Sequence, residues 1–224
     1  MKRLIYIVAA LLSAGLLYGC WTHRLPMDVM EAWGFVTGAW CVWLTVKENI
    51  WNWPIGIANS VFYIVVFLHA RLFADMTLQV VYVVFGFLGW YWWLKGGELH
   101  TRLNVTRVSL PMGTVIAAVV ALSTWGMTLF LDHVHDSAPF LDALTTTMSL
   151  AAQFMLTKKM FENWHVWIAA DVIYIGLYAY KHLYLTSGLY VLFLVMCLYG
   201  LRDWRRSMSR ARPSGAPAES AAYG

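Results

Sequence analysis

The residues with the clearest chemical potential lie in one apolar stretch, residues 162–171, which reads ENWHVWIAAD. Trp164, Trp167, Asp171, Tyr174 and Tyr178 follow one another at spacings of three and four, so on a helix they share one stripe. With a helix starting at Asn163, Asp171 stands about 12 Å along its axis at about 1.5 Å per residue, close to the middle of a bilayer. A carboxylate at that depth costs roughly 2.5–3.5 kcal/mol on insertion scales, so it has to face a bundle interior or a wet cavity and needs a partner. No Lys or Arg lies at comparable depth in any other apolar run, which leaves a hydroxyl or amide, a proton, or a ligand. Indole and phenol faces each attract cations by about 0.5–2 kcal/mol. A carboxylate among them is suited to a flat cationic ring. The plainer alternative is that the aromatic stripe only packs helices and that Asp171 is protonated or bonded to a neighbouring Thr.

Other buried polar residues divide between the same two readings. Asn59, Gln79, Thr145, Thr146 and Gln153 fall inside apolar runs. Each is either a ligand contact or interhelical glue, the latter worth about 0.6 kcal/mol on average. From these, Gln79, Asn59 and Thr146 join Trp164, Trp167, Asp171 and Tyr174 as candidate substrate-binding residues. The segment DHVHD at 132–136 is the strongest argument for a membrane enzyme, since His and Asp bind metals, but it also reads as a polar loop between two helices. No metal or other cofactor is assigned. His69, His165 and His182 lie at helix ends without a facing pair, which disfavours haem. The three cysteines, Cys20, Cys41 and Cys197, lack metal-ligand spacing and read as packing residues. There is no G-x-x-x-x-G-K-[ST] loop to hold a nucleotide, so an energised pump is disfavoured.

The elements that carry these residues follow from composition. Of 224 residues, 60% are hydrophobic and 12% charged, about half the charged share of an ordinary soluble domain. Apolar runs at Leu4–Cys20, Ala32–Val46, Ile50–Leu68, Met76–Leu94, Leu110–Leu131, Ala143–Thr157, Asn163–Tyr180 and Leu183–Leu201 predict eight membrane helices. Ala32–Val46 and Ala143–Thr157 fall short of the roughly 20 residues that span a bilayer and need their flanks. The runs are continuous rather than alternating, so the fold class is an all-α integral membrane protein, not a barrel. Lys and Arg total 16, and with the N-terminus inside, thirteen fall on the cytoplasmic side against Arg24, Arg71 and Lys181 outside. Both termini are then cytoplasmic. The net charge of +4 is accounted for by this asymmetry beside anionic lipid, with no nucleic acid required. The first run is also compatible with a cleaved signal, although an uncleaved helix is favoured.

The chain matches itself without gaps at an offset of 111 residues. Lys47 pairs with Lys158, Asn52-Trp53 with Asn163-Trp164, Tyr63 with Tyr174, Leu72 with Leu183, Gly89 with Gly200, and Trp93 with Trp204. Each repeat holds three helices, an odd number, so joining two directly would invert the second. The helix at 110–131 restores its orientation, giving a 3+1+3 plan of two parallel repeats behind an extra N-terminal helix, an organisation suited to a transporter that rocks about a central site. The expected segments are an N-terminal helix (1–25), a first repeat (26–96), a loop and linker helix (97–137), a second repeat (138–206) and a disordered cytoplasmic tail (207–224). Ser60 stands where the second repeat has Asp171, and Gly56 where it has Trp167, so a substrate would be held asymmetrically.

The segments TKKMFENWHVW, LYLTSGLYVLF, LQVVY, GWYWW and the WP-x-G-I of residues 53–57 resemble the nicotinamide riboside transporters of the PnuC family, relatives of the SWEET sugar transporters. The resemblance covers residues about 31–206. It implies uptake of a vitamin or NAD precursor at the bacterial inner membrane by facilitated diffusion, with the substrate between the two three-helix bundles and intracellular phosphorylation trapping it. Matched to the family's Trp-x-x-Trp-x-x-x-polar motif, Trp164, Trp167 and position 171 would line the site, and Gln79 would contribute from the other bundle. Riboside-type members carry Asn where this chain has Asp171, and related branches take up thiamine, so both cationic vitamins stand as substrates. A homo-oligomer is compatible with this reading.

Overall fold

In a computed structural model that describes residues 2–24, 28–135, 138–180, 182 and 184–211, eight α-helices occupy nearly all of the chain: α1 (Lys2–Trp21), α2 (Val29–Val46), α3 (Asn52–His69), α4 (Phe73–Lys95), α5 (Leu110–His133), α6 (Pro139–Thr157), α7 (Asn163–Tyr180) and α8 (Tyr184–Ala211). Among the described residues the only β-type pairing is a single bridge between Thr106 and Met160. Each helix coincides with one of the apolar runs, and the two short runs gain their missing length at the start. α2 begins three residues early behind the carboxylate of Asp28, which accepts from the Met30 backbone N–H at 3.0 Å. α6 begins at Pro139, whose fixed φ suits a first helical turn.

Among the described residues, three spans, Asn52–His69 of α3, Asp75–Lys95 of α4 and Leu110–His133 of α5, are long and apolar enough to cross a membrane by length and composition alone. α6 misses that standard because of its inner face, where Thr145, Thr147 and Ser149 are buried at alternate positions. These hydroxyls are not exposed to lipid, because each bonds within its own turn or across the bundle. Thr147, for example, bonds to the Ala143 carbonyl at 2.9 Å and to the Thr124 hydroxyl of α5 at 2.6 Å.

Contacts recur in pairs at the 111-residue spacing. α2 and α6 end in the same way, with Glu48 and Lys159 at φ of 51° and 54° and a backbone bond closing each turn, Asn49 to Leu44 and Met160 to Met155, both 2.9 Å. The turns after α3 and α7 place Arg71 and His182 at φ of 58° and 60°. Gly89 lets the Trp53 ring lie directly on α4, and Gly200 does the same for Trp164 on α8, since a Cβ at either position would overlap the indole. Between the bundles, the Trp93 indole donates to the Leu156 carbonyl at 3.0 Å and the Trp204 indole to the Thr45 carbonyl at 3.1 Å. Such reciprocal exchange is what a two-fold relationship between α2–α4 and α6–α8 produces. It joins the last turns of α4 to those of α6, and the C-terminal half of α8 to the last turn of α2.

The buried core gathers at this end of the bundle, which also carries most of the Lys and Arg and is termed the basic end below. Val46, Trp53, Trp93, Leu156, Trp164 and Trp204 form it, together with Val105 from the loop after α4. That loop is stitched to the second repeat by the Thr106 N–H on the Lys159 carbonyl at 3.1 Å and the Phe161 N–H on the Thr106 carbonyl at 2.8 Å. α8 continues to Ala211, so residues 207–211 of the expected tail are helical. Trp204 is fully buried and Met208, one turn on, packs against the same core, which fastens the charged extension. The rest of that tail, residues 212–224, lies outside the described residues, as do Lys181, Leu183 and Asp136.

Candidate functional site

The stripe on α7 is the seam between α7 and α8. Trp164 packs edge-on against Trp204 with ring centroids 5.3 Å apart. Two turns later Asp171, 5% exposed, accepts from the Cys197 thiol of α8 at 3.4 Å. Further still, Tyr174 and Tyr178 stack on Tyr190 of α8 at 4.6 and 5.3 Å. The carboxylate's partner is therefore a thiol, and Cys197 is more than the packing residue that its spacing suggested. A thiol is a weak donor, so Asp171 retains most of its capacity to accept hydrogen bonds.

Around Asp171 the second repeat supplies phenols and hydroxyls, and the first repeat closes the far side. Tyr190 lies within electrostatic range of Asp171. The Tyr174 hydroxyl sits beside Thr145 and Ser149 of α6, and Ser149 also meets Tyr82 of α4. Phe193 of α8 touches Tyr190 at 5.9 Å and reaches Phe35 of α2 at 6.1 Å. α2, α4, α6, α7 and α8 thus converge on one aromatic, hydroxyl-rich cluster beside Asp171, with the Asp142 carboxylate of α6 within electrostatic range of Tyr174 and Tyr178. The rings stack on one another, so the cluster is closed on itself in this arrangement.

Not every candidate belongs to it. Trp164 is 1% exposed and wedged between Gly200 and Trp204 in the core at the basic end, with Trp53 occupying the equivalent place in the first repeat, so its ring is a packing element here. Two residues on one stripe need not share one space, because the stripe follows the partner helix along its whole length. Asn59 donates to the Thr37 hydroxyl at 2.6 Å and to the Gly34 carbonyl at 3.2 Å, so its amide nitrogen joins α3 to α2 as interhelical glue. Trp167 is half-buried against the core. Gln79 and Thr146 are half-buried, and among the described contacts neither makes a side-chain hydrogen bond. Tyr190, Tyr82, Ser149, Phe35 and Cys197 were not nominated by sequence. One of them was within reach, since the 111-residue register pairs Tyr190 with Gln79.

Among the described residues, four buried polar atoms lack a protein partner, and they too come in repeat pairs: the indole N–H groups of Trp53 and Trp164, and the amide oxygens of Asn52 and Asn163. The metal alternative gains nothing at 132–136. His133 ends α5, Asp136 lies outside the described residues, and among the described residues no three His, Cys, Asp or Glu side chains cluster. His69 and His182 bond locally, to the Val65 carbonyl and the Tyr184 hydroxyl, and His165 stacks edge-on with Phe161.

The basic end is sealed by charge. Lys47 meets Asp203 at 2.6 Å, and its repeat equivalent Lys158 lies 3.3 Å above the Trp92 ring, which takes the place of Asp203. Lys159 bridges the units, pairing with Glu48 at 2.8 Å, donating to the Leu103 carbonyl at 3.0 Å and lying over Trp93 at 4.6 Å. Burial pushes the Asp203 carboxyl up, but Lys47 and then Arg202 outweigh it and hold the group below its ordinary range. Partial burial pushes the Lys158 ammonium down.

A family model described as "Nicotinamide mononucleotide transporter" matches residues 28–206. The chain belongs to this transporter family. Among similar proteins, the nicotinamide riboside transporter PnuC of Escherichia coli (strain K12) is 27% identical over 213 residues, spanning 84% of this chain and 89% of that protein. PnuC of Neisseria mucosa is 28% identical, over 78% of this chain and 71% of its own length. The riboflavin/roseoflavin transporter RibM of Streptomyces davaonensis is 25% identical, over 83% and 90%. The crystal structure of a vitamin B3 transporter, PnuC, superposes with a TM-score of 0.68 at 23% identity, covering 91% of this chain and 92% of the other, and so shares the fold. A family of transporters accounts for a closed aromatic site inside a membrane bundle, and leaves no role for a metalloenzyme centre at 132–136.

Proposed function

We propose that the chain takes up a small vitamin-type substrate, nicotinamide riboside in the first instance, by facilitated diffusion with alternating access. The observation that carries this reading is Asp171, a buried carboxylate whose hydrogen-bond donor among the described residues is a thiol, beside stacked tyrosines and hydroxyls from both repeats. Such a site can pair with a cationic ring once the tyrosines part. Trp167, Asp171 and Tyr174 would line it from the second repeat, and Gln79 and Thr146 would complete it, whereas Trp164 and Asn59 shape it from behind. The ionic seal at the basic end, with the bundles in contact there, fits a state shut toward the cytoplasm, both termini cytoplasmic, in the inner membrane. The E. coli and N. mucosa relatives favour nicotinamide riboside, the S. davaonensis relative brings riboflavin onto the test panel, and thiamine remains the cationic alternative.

Binding of nicotinamide riboside, thiamine, riboflavin and their phosphates to the purified chain, followed by counterflow in protein-only liposomes, tests this. Saturable exchange of labelled nicotinamide riboside in either direction, without ATP, is expected. An absolute requirement for ATP would exclude facilitated diffusion, and preference for neutral riboflavin would remove the cationic-ring argument.

A further inference from the structure

Beside the basic end, the site described above leaves two adjoining surfaces unused. One is a cleft of about 690 Å³ between the loop before α5, the start of α7 and the end of α8, lined by Arg107, Arg202, Arg205, Arg206, His165 and Glu162, among others. The other is an apolar groove of about 740 Å³ along α5, α6 and α7, running on α5 from Gly113 to Thr128. Glu162 lines both, and Arg107 of the cleft is the chain neighbour of Val108 of the groove. The sixteen residues from Gly113 to Thr128 span fifteen steps, or about 22 Å at about 1.5 Å per step, more than the roughly 15 Å depth of one leaflet of hydrocarbon.

The charges in the cleft are not balanced from within. Glu162 accepts from the Val108 backbone N–H at 2.8 Å, and Arg202 shares Asp203 with Lys47. Arg107 is held over the Phe161 ring at 5.7 Å. Among the described residues neither Arg205 nor Arg206 has a carboxylate partner. Guanidinium forks match phosphate oxygens in geometry and charge, and an acyl chain matches the groove that begins where the arginines end.

We propose that this paired surface is a binding site for one anionic phospholipid, its phosphate in the arginine cleft and one acyl chain in the groove between α5 and α6. Charge complementarity selects the head, and the adjoining groove selects a lipid over a soluble phosphate. The occupant would bridge the linker helix α5 to α8 and so brace the second repeat at its basic end.

Native mass spectrometry of the full chain, with long-chain phosphatidylglycerol, long-chain phosphatidylcholine, dihexanoyl phosphatidylglycerol and glycerol phosphate as probes, tests the site. Long-chain phosphatidylglycerol should be retained at least about tenfold better than phosphatidylcholine, in line with charge-assisted pairing. Arg205→Gln with Arg206→Gln should abolish that preference, with helicity by circular dichroism as the folding control. Ala117→Phe, which fills the groove, should weaken the long-chain lipid and leave the dihexanoyl one unchanged. Equal retention of the two long-chain headgroups by the wild-type chain would overturn the proposal, and so would glycerol phosphate binding as well as the lipid. If the arginine variant cannot be prepared folded, the Ala117→Phe comparison decides the matter alone: equal effects on both chain lengths would reject the groove as the acyl site. Neither variant touches the carboxylate site, so substrate binding reports separately on the proposed transport function.

Discussion

Ser60 and Asp171 are equivalent positions in the two repeats and both are buried, so at this depth only the second repeat carries a carboxylate. Asp171→Asn keeps the shape and the acceptor for Cys197 but removes the charge. Truncating one partner of a desolvated pair typically costs about 2–5 kcal/mol, and a mobile ligand should fall at the low end, about a tenfold to hundredfold loss of affinity for a cationic vitamin. Calorimetric binding of nicotinamide riboside and thiamine to a folded variant checks this. Unchanged affinity for both would leave Asp171 a structural residue bonded to Cys197. At the same scale, Lys159→Met should lower thermal stability more than Glu48→Gln does. Lys159 has three partners and a side chain only 9% exposed, whereas Glu48 is 23% exposed. Melting curves in detergent rank the two, and the reverse order would mean that Glu48 is the better-anchored partner.

Between elements, the paired glycines set how closely the helices approach. Gly89→Ala and Gly200→Ala each force a methyl group into a buried indole, and overpacking of that kind costs about 1–3 kcal/mol. Because Trp53 and Trp164 occupy equivalent places, the two variants should be destabilised to a similar degree. Gly188→Ala, where nothing lies within 4 Å of an added Cβ, should be close to neutral and serves as the control. Thermal unfolding monitored by size exclusion measures all three. A neutral Gly200→Ala beside a damaged Gly89→Ala would break the equivalence of the repeats.

For the molecule as a whole, the proposed alternating access would require the basic end to open. A short bis-methanethiosulfonate reagent, which forms a disulfide to each cysteine with loss of methanesulfinate, should stop counterflow when it links Lys47→Cys to Asp203→Cys, and reducing the link should restore it; full activity of the linked protein would rule out separation of the bundles at this end. The seal also has a pH window. The Asp203 carboxyl is held below its ordinary value of 3.8, so its pairing with Lys47 is fully present above that value and is lost only as pH falls through the lower, folded value. Labelling of a cysteine at Thr45, buried under Trp204, should therefore stay slow from neutral pH down to about pH 5, because a carboxylate of ordinary pKa near 4 remains ionised there. Labelling that accelerates already between pH 7 and 6 would show that the carboxylate does not govern the seal.

The amino-acid sequence by itself determined the eight helices, the repeat and the distribution of positive charge. Only helices and closed barrels satisfy their backbone groups in a bilayer and continuous apolar runs select the helix, while residues such as Trp, Asn and Gly recur too rarely by chance to imitate a register. It also exposed Asp171, because a carboxylate in an apolar run stands out whatever it touches. Only the tertiary structure decided which neighbours the stripe has. Helical periodicity assigns a residue to a face but says nothing of the element opposite, and so Trp164 turned out to face a glycine and a tryptophan, Asp171 a thiol, and Asn59 its own repeat. The end of α8 was hidden for the same reason. The charged segment after Leu201 reads as solvent-exposed until Trp204 is seen donating to Thr45 across the bundle, a contact between residues far apart in the chain that no local pattern encodes.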